Sequence, residues 1–211
     1  AACAMLVTLP LALLVGFYLA RSSFVGKAMV SALVHLPLVL PPVVTGYALL
    51  VVFGRNGPIG SLLDRIGMGF TFSWTGAALA AAVMAFPLVV RPIRLAFEQV
   101  EPGLEEMAAT LGAGFWRRFI TILLPLAWPG ILAGLVLGFA KALGEFGATI
   151  TFVSNIPGET QTLSLAIYTL LQSPDGDRKA LMLIGFSVAL SVLAVIASEV
   201  ILARMEKRRE V

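Results

Sequence analysis

The chain has 211 residues, 59% of them hydrophobic and only 13% charged, with a mean hydropathy of +0.95. Ordinary globular domains carry roughly 45–50% apolar and about 25% charged residues. With 15 Lys and Arg and 12 Asp and Glu, the chain cannot cover the surface of a water-soluble protein of this size, so its solvent is lipid. One cysteine, Cys3, excludes an internal disulfide or a thiolate cluster, and with one histidine, His35, no metal site is expected.

A membrane-spanning helix needs about 20 mostly apolar residues. Charged residues divide the sequence into five such runs, at about 1–20, 28–54, 73–98, 126–152 and 180–204. The expectation is an all-α integral membrane protein of about five spans, a single transmembrane domain over 1–211. The first run starts inside apolar sequence without a methionine and reads as a helix entered partway. A signal peptide is the competing reading, but the run lacks a basic leader and ends in Arg21 rather than a small-residue cleavage site.

The second run contains Pro37, Pro41 and Pro42, with Gly46 close by. Each proline removes a backbone donor and clashes with the preceding turn, so the helix is expected to kink or open there. Carbonyls freed in lipid must be satisfied by protein or by water in a cavity. Pro37, Pro41, Pro42, Thr45 and Gly46 are therefore pathway or gate candidates, set against the plainer reading of a packing kink. His35 reads as a structural donor rather than a ligand or proton relay.

When the five spans are threaded, Arg21, Lys27, Arg91, Arg94, Arg117, Arg118, Arg204, Lys207, Arg208 and Arg209 share one side. Only Arg55, Arg65, Arg178 and Lys179 face the other. The positive-inside rule then places the C-terminus and the loop from Arg91 to Leu124 in the cytoplasm, and the N-terminus outside. The basic balance reads as topology and contact with membrane lipid, and nucleic acid is not an expected partner.

The cytoplasmic connection, about 100–125, is the most informative segment: VEPGLEEMAATLGAGFWRRFITILLP. Pro102 suits a first helical position, and Glu105 and Glu106 suit the positive end of a helix dipole. Gly112 and Gly114 tolerate the turn that ends the helix. The pattern predicts a helix with Leu104, Met107, Ala108 and Leu111 on one apolar face, a glycine turn, then a second short helix from about Phe115 to Pro125. From spacing alone, an amphipathic loop resting on headgroups fits equally well.

In the fourth run, Lys141 and Glu145 stand at i, i+4, which puts both on one helix face. Each would cost about 2.5–3.5 kcal/mol at a helix centre facing lipid, so they should face the bundle, a cavity or each other. Either they are a neutralised pair that locks packing, or Lys141 attracts an anion. Gly144 and Gly147 flank Glu145 and would permit close helix approach. The outer loop after this run, Val153 to Thr162, offers Ser154, Asn155, Gly158 and Glu159 as contact candidates. It precedes Leu163 to Leu171, which is too short to span and reads as a re-entrant or surface helix.

Glu106-Met107-Ala108, Gly112, Ile122, Leu124 and Pro125 match the spacing of the E-A-A, three residues, G, nine residues, I, one residue, L-P signature. The loop thus resembles that of the permease subunits of binding-protein-dependent ABC importers, departing only in Met107 where the pattern has alanine. The stretches HLPLVLPPVVTGYALL, LGAGFWR and LGEFGATITFVSNIPGET resemble the molybdate branch of that family, and the likeness runs from about Phe24 to the last helix. It implies the type I importer permease fold in a bacterial-type cytoplasmic (inner) membrane. It also implies a homodimer with a second copy of the chain, two ATP-hydrolysing subunits docked on Glu105, Glu106, Met107, Ala108, Gly112, Ile122, Leu124 and Pro125, and an external oxyanion-binding protein. Tungstate and sulfate or thiosulfate permeases are the near alternatives.

The chain has no glycine loop ending in G-K-[ST], so ATP and Mg are expected on the partner and no cofactor or catalytic residue here. An intramembrane enzyme built on Glu145, Glu199 and His35 lacks an HExxH motif or a pairing of nucleophile and base. A membrane scaffold would be served by the basic tail alone.

Overall fold

The computed structural model describes residues 1–207, and among them it contains only helices and their connections. Three helices make the core: α1 (Ala2–Arg21), α5 (Trp74–Glu98) and α8 (Leu124–Leu143). The helix α5 is central, with Ala80, Ala85, Val89, Val90, Ile93 and Phe97 fully buried. Gly16 of α1 meets Ile93, and Gly138 of α8 meets both Val89 and Met5, so α1 runs parallel to α5 and α8 antiparallel.

Lipid tails are as apolar as leucine, so helices in a bilayer associate through close packing rather than hydrophobic expulsion. Gly130, Gly134 and Gly138, spaced by four, provide it. A Cβ on Gly134 would stand 2.8 Å from the Val89 carbonyl oxygen, and one on Gly130 would stand 2.7 Å from that of Pro92. In α1, Gly16 repeats the device, with Ile93 Cγ2 2.8 Å from the missing Cβ.

The second apolar run is broken rather than kinked. Its pieces α2 (Lys27–Val39) and α3 (Pro42–Phe53) are bent by 115°. Leu40 and Pro41 each precede a proline, which bars the helical region, and both are extended, with ψ of 142° and 136°. Pro42 then opens α3, where its missing N–H costs nothing. The pair connects opposite ends of α5. Arg94, near the end of α5, donates to Ser31 of α2 at 3.2 Å, whereas Phe53, ending α3, packs on Phe70 just ahead of α5, centroids 5.8 Å apart. It is a crossing made in two pieces and not a hairpin that returns to its own side. A short helix, α4 (Gly60–Arg65), follows in the connection.

After α5 comes α6 (Pro102–Thr110), then α7 (Phe115–Arg118), which runs through a π-helical turn (Phe119–Leu123) straight into α8. The expected second loop helix is thus the start of the fourth span, a continuous Phe115–Leu143 run of 29 residues. Pro125 lacks the N–H that would close an ordinary turn onto Thr121, and the ladder widens just ahead of it, Leu124 N–H bonding Phe119 O instead. The same span ends at Leu143, short of the expected 152. Gly144 to Phe146 break it, and α9 (Gly147–Val153) is a separate helix packed on α3 and α5.

Thr162 caps α10 (Leu163–Leu171) by accepting the Leu165 N–H, and α10 rests on α11 (Asp177–Lys207). Along α11, Leu181, Phe186 and Leu193 are exposed, as side chains facing lipid should be. Arg208 and Arg209 of the basic tail lie outside the described residues. Among the described residues, four unbroken helices, Ala2–Arg21, Trp74–Glu98, Phe115–Leu143 and Asp177–Ala197, are long and apolar enough to cross a membrane, and the bent pair makes a fifth crossing.

Gly134→Leu should drive a side chain into the α5 backbone and lower stability by about 1–3 kcal/mol. Gly185→Leu, with nothing within 4 Å, should not. Thermal denaturation of the two variants in the same detergent measures the difference.

Candidate coupling loop and transport pathway

Pro102 occupies the first turn of α6 and Glu105 follows within it, an acidic start that favours the helix dipole. Gly112 ends the element with φ of +82°, a left-handed conformation that costs other residues more, and a Cβ there would meet nothing within 4 Å. The glycine is needed for the turn itself and also leaves its outer side open. The Ala113 N–H bonds back to Ala108 O at 2.9 Å, closing the helix.

The two acidic residues of the loop have different roles. Glu105 forms an ion pair with Arg21 at 2.8 Å, both side chains about four-fifths buried, and Arg21 also donates to the Val100 carbonyl at 3.1 Å. Arg118 donates to Glu105 O at 3.5 Å. Glu106 is exposed. The apolar face read from the sequence is present but uncovered: Met107 is 59% and Leu111 88% exposed, while Leu104 is at the margin of exposure. Ile122 and Leu124 are half-buried at the foot of the fourth span, and Pro125 beside them is exposed.

Sequence reasoning missed the aromatic cluster behind this loop. Phe17 of α1 meets Phe97 of α5 edge-on at 5.4 Å and Phe119 of the π turn at 5.3 Å, and Phe115 joins at 6.1 Å from Phe17. Such edge-to-face pairs contribute about 0.5–1.5 kcal/mol each beyond area. The loop therefore enters the membrane through a packed joint shared by three helices. The only signal was phenylalanine spacing across three distant segments, which no local period reveals.

At the interrupted helices, Glu145 is 2% exposed. Its Oε2 accepts from Lys141 Nζ at 2.8 Å and its Oε1 from the Ala148 N–H at 2.9 Å, so one carboxylate neutralises the lysine and caps α9. Glu145 lies beyond the end of α8, and the pair closes across the break rather than along one helix face. Gly46 packs against α9, a Cβ there standing 2.6 Å from Ala148 O, and Gly147 meets Pro42. At Gly144, in contrast, a Cβ would meet no neighbouring helix. Thr45 is buried, 6% exposed, with its hydroxyl unpartnered, so it faces packed interior rather than open space. Pro41 and Pro42 are exposed and Pro37 is half-buried. Nδ1 of His35 lies 2.7 Å from the Ser31 carbonyl, a donor satisfied within its own helix.

In the loop between α9 and α10, Ser154, Gly158 and Glu159 are exposed, Ser154 and Gly158 with φ of +64° and +82°. Asn155 is committed internally, donating to Thr169 of α10 at 2.7 Å and accepting from Gln161 at 3.2 Å. Thr160, not singled out in the sequence, organises the loop: its buried hydroxyl accepts the Ile156 N–H and donates to Ser154 O.

Removing one partner of a buried ion pair costs about 3–5 kcal/mol, whereas replacing both is far cheaper. Lys141→Met alone should therefore destabilise the protein more than Lys141→Met with Glu145→Gln. Equal melting temperatures for the single and double variants would show that the pair does not hold the break.

Residues 11–207 match the family described as binding-protein-dependent transport system inner membrane component. Two relatives, the molybdenum transport system permease proteins ModB of Haemophilus influenzae and Escherichia coli K12, are each 56% identical. The alignments cover 97% and 98% of this chain and 90% of each relative. The sulfate transport system permease protein CysT of Escherichia coli is 39% identical over 77% of this chain and 59% of its own length. In structure, the chain resembles a subunit of a bacterial alginate ABC transporter crystallised with its alginate-bound periplasmic protein. There the TM-score is 0.70 at 21% identity, covering 92% of this chain and 71% of that one, a likeness of fold. With its all-helical bundle, its loop helix and this match over nearly its whole length, the chain belongs to the binding-protein-dependent transport system inner membrane component family.

Proposed function

We propose that the chain is the permease subunit of an ATP-driven importer that translocates molybdate delivered by an external binding protein. Two copies would pair around the path, each docking α6 on a separate ATP-hydrolysing subunit. The observation that carries the reading is α6 itself. A short helix at the signature position is anchored to the spans through Glu105 and Arg21, while its Met107 and Leu111 remain uncovered and Glu106 is exposed beside them. Molybdate as cargo is supported by the relatives named for molybdenum transport, at 56% identity, against 39% for a relative named for sulfate. Tungstate, of nearly the same size and charge, remains the neighbouring cargo.

The break at Leu40 and Pro41 and the break at Gly144 meet where α3 packs on α9, and this junction is the proposed gate region. Lys141 is neutralised by Glu145, so this junction offers a dianion no strong resting site. Weak binding along the path suits an importer that must release its cargo, and selectivity then belongs mainly to the external protein. The N-terminus lies outside, the C-terminus in the cytoplasm, and Ser154, Gly158 and Glu159 face the binding protein.

Three measurements test the reading. In vesicles holding the permease, its ATPase and its binding protein, Gly112→Trp should abolish ATP-dependent molybdate uptake, or uncouple it from hydrolysis, while the protein still inserts; wild-type uptake would refute the coupling assignment. With the binding protein held constant, Lys141→Gln should reduce uptake without altering the preference for molybdate over sulfate, and a large change would place a selectivity site in this chain. Cysteines at Glu159 and Arg117, in a Cys3→Ala background, should react with an impermeant reagent from opposite sides, and same-side labelling would overturn the topology.

A further inference from the structure

Between α2 and α5 lies a cavity of about 310 Å³ whose lining includes Ser31, His35, Arg91, Arg94 and Glu98. Two guanidinium groups line it. The neighbouring clefts beside α1 are lined almost wholly by apolar side chains.

The hydrogen-bond accounting of this cavity leaves donors over among the described residues. Arg94 uses Nε on Glu98 at 2.7 Å and Nη1 on Ser31 Oγ at 3.2 Å, and its Nη2 has no partner there. Ser31 Oγ accepts from Arg94, and its own O–H proton is not donated. Arg91 makes no ion pair or side-chain hydrogen bond with any described residue. Glu98, the one carboxylate in the lining, is already matched by Arg94, so the second guanidinium is uncompensated. A guanidinium presents a planar fork of donors suited to two oxygens of one oxyanion, and a hydroxyl beside it can bind a third.

Position matters as much as charge. Arg91 stands seventeen residues after Trp74 along α5, roughly 26 Å at the rise of an α-helix, and a bilayer's hydrocarbon core is about 30 Å thick. The cavity therefore lies where the hydrocarbon gives way to headgroups, on the side proposed above as cytoplasmic. About ten water volumes fit within it, enough for an anion that keeps part of its hydration shell. The alternative use of such arginines, fixing topology, needs no hydroxyl and no cavity.

We propose that Arg91, Arg94 and Ser31 form a binding site for a tetrahedral oxyanion at the cytoplasmic end of α2 and α5. Two sources supply that chemistry: the imported anion on its way out, whose identity rests on the function proposed above, and the phosphate of an anionic lipid. Either occupant would neutralise Arg91 and brace α2, the first half of the broken span, against α5.

The test uses the full chain assembled with its ATPase subunits in nanodiscs, carrying Cys3→Ala and Leu95→Cys, since Leu95 lines the same cavity. The rate of modification of the introduced thiol, read from the mass of this chain, is compared for a sulfonate-bearing thiosulfonate and its neutral hydroxyethyl analogue. One arginine charge some 7 Å away is worth about a three-fold rate preference for the anionic reagent. Arg91→Gln should remove that preference and Arg91→Lys restore it; Arg91 holds no described partner, so neither change should disturb the fold. Millimolar molybdate, sulfate or phosphate should slow the labelling in phosphatidylcholine discs. If phosphatidylglycerol discs retain that protection, the free anion is the occupant, and if they abolish both protection and charge preference, the lipid phosphate is. Protection by phosphate and sulfate alongside absent molybdate uptake would uphold the site while refuting the cargo. A charge preference unchanged by Arg91→Gln, or no protection by any oxyanion in phosphatidylcholine, overturns the proposal.

Discussion

Lipid tails offer no hydrogen bond to a carbonyl, an N–H or a lone charge, so each place where a helix is interrupted must be repaired by the protein or by water in a cavity it lines. Two interruptions occur here, at Leu40 and Pro41 and at Gly144 to Phe146, and much of the rest is arranged around closing them. The repair is economical. Glu145 serves both the Lys141 ammonium and the buried Ala148 N–H of α9, and α9 in turn covers α3 through the tight contacts of Gly46 with Ala148 and of Gly147 with Pro42. A conventional unbroken span would need none of these residues. Together they turn two weak points into one packed junction next to the N-terminal half of α5.

The loop solves the opposite problem. If α6 docks on another protein, as proposed, it has to leave its own contact surface uncovered and yet be held firmly enough to transmit force. Here α6 shows Met107 and Leu111 outward and is fastened from behind by Arg21, Val100 and Arg118. The aromatic joint of Phe17, Phe97, Phe115 and Phe119 extends that fastening to three helices.

Much of this was legible in sequence because lipid imposes simple rules. Apolar length located the spans, and the proline pairs located the first break. The helix from Pro102 and its glycine stop followed from local chemistry that needs no tertiary partner. What escaped was set by contacts between distant segments. Arg21 pairing with Glu105, rather than serving only as a topology anchor, depends on how α1 ends beside α6. The early end of the fourth span depends on Glu145 finding Ala148, a choice no hydropathy window distinguishes from continued helix. The Gly130, Gly134 and Gly138 series was readable as a small-residue stripe, but which neighbour it met was not. Thr45 illustrates the converse: a hydroxyl in an apolar run invites assignment to a pathway, and its burial here came from the packing of α3 on α9.

The continuity of the Phe115–Leu143 helix carries a mechanical consequence. A run of 29 residues is about 44 Å long, and its close contacts with α5 begin at Gly130, near mid-length, and continue to Gly138. A stiff rod clamped at its middle is a see-saw: a tilt of about 10° shifts each end by roughly 4 Å, in opposite directions. One end carries Phe115, a few residues from the loop glycine, and the other carries Lys141 and the hinge at Gly144. The π turn lies between the clamp and the loop end, where its widened ladder makes the rod more compliant. How much of a push at the loop reaches the far hinge is thus set by the stiffness of five residues, Phe119 to Leu123.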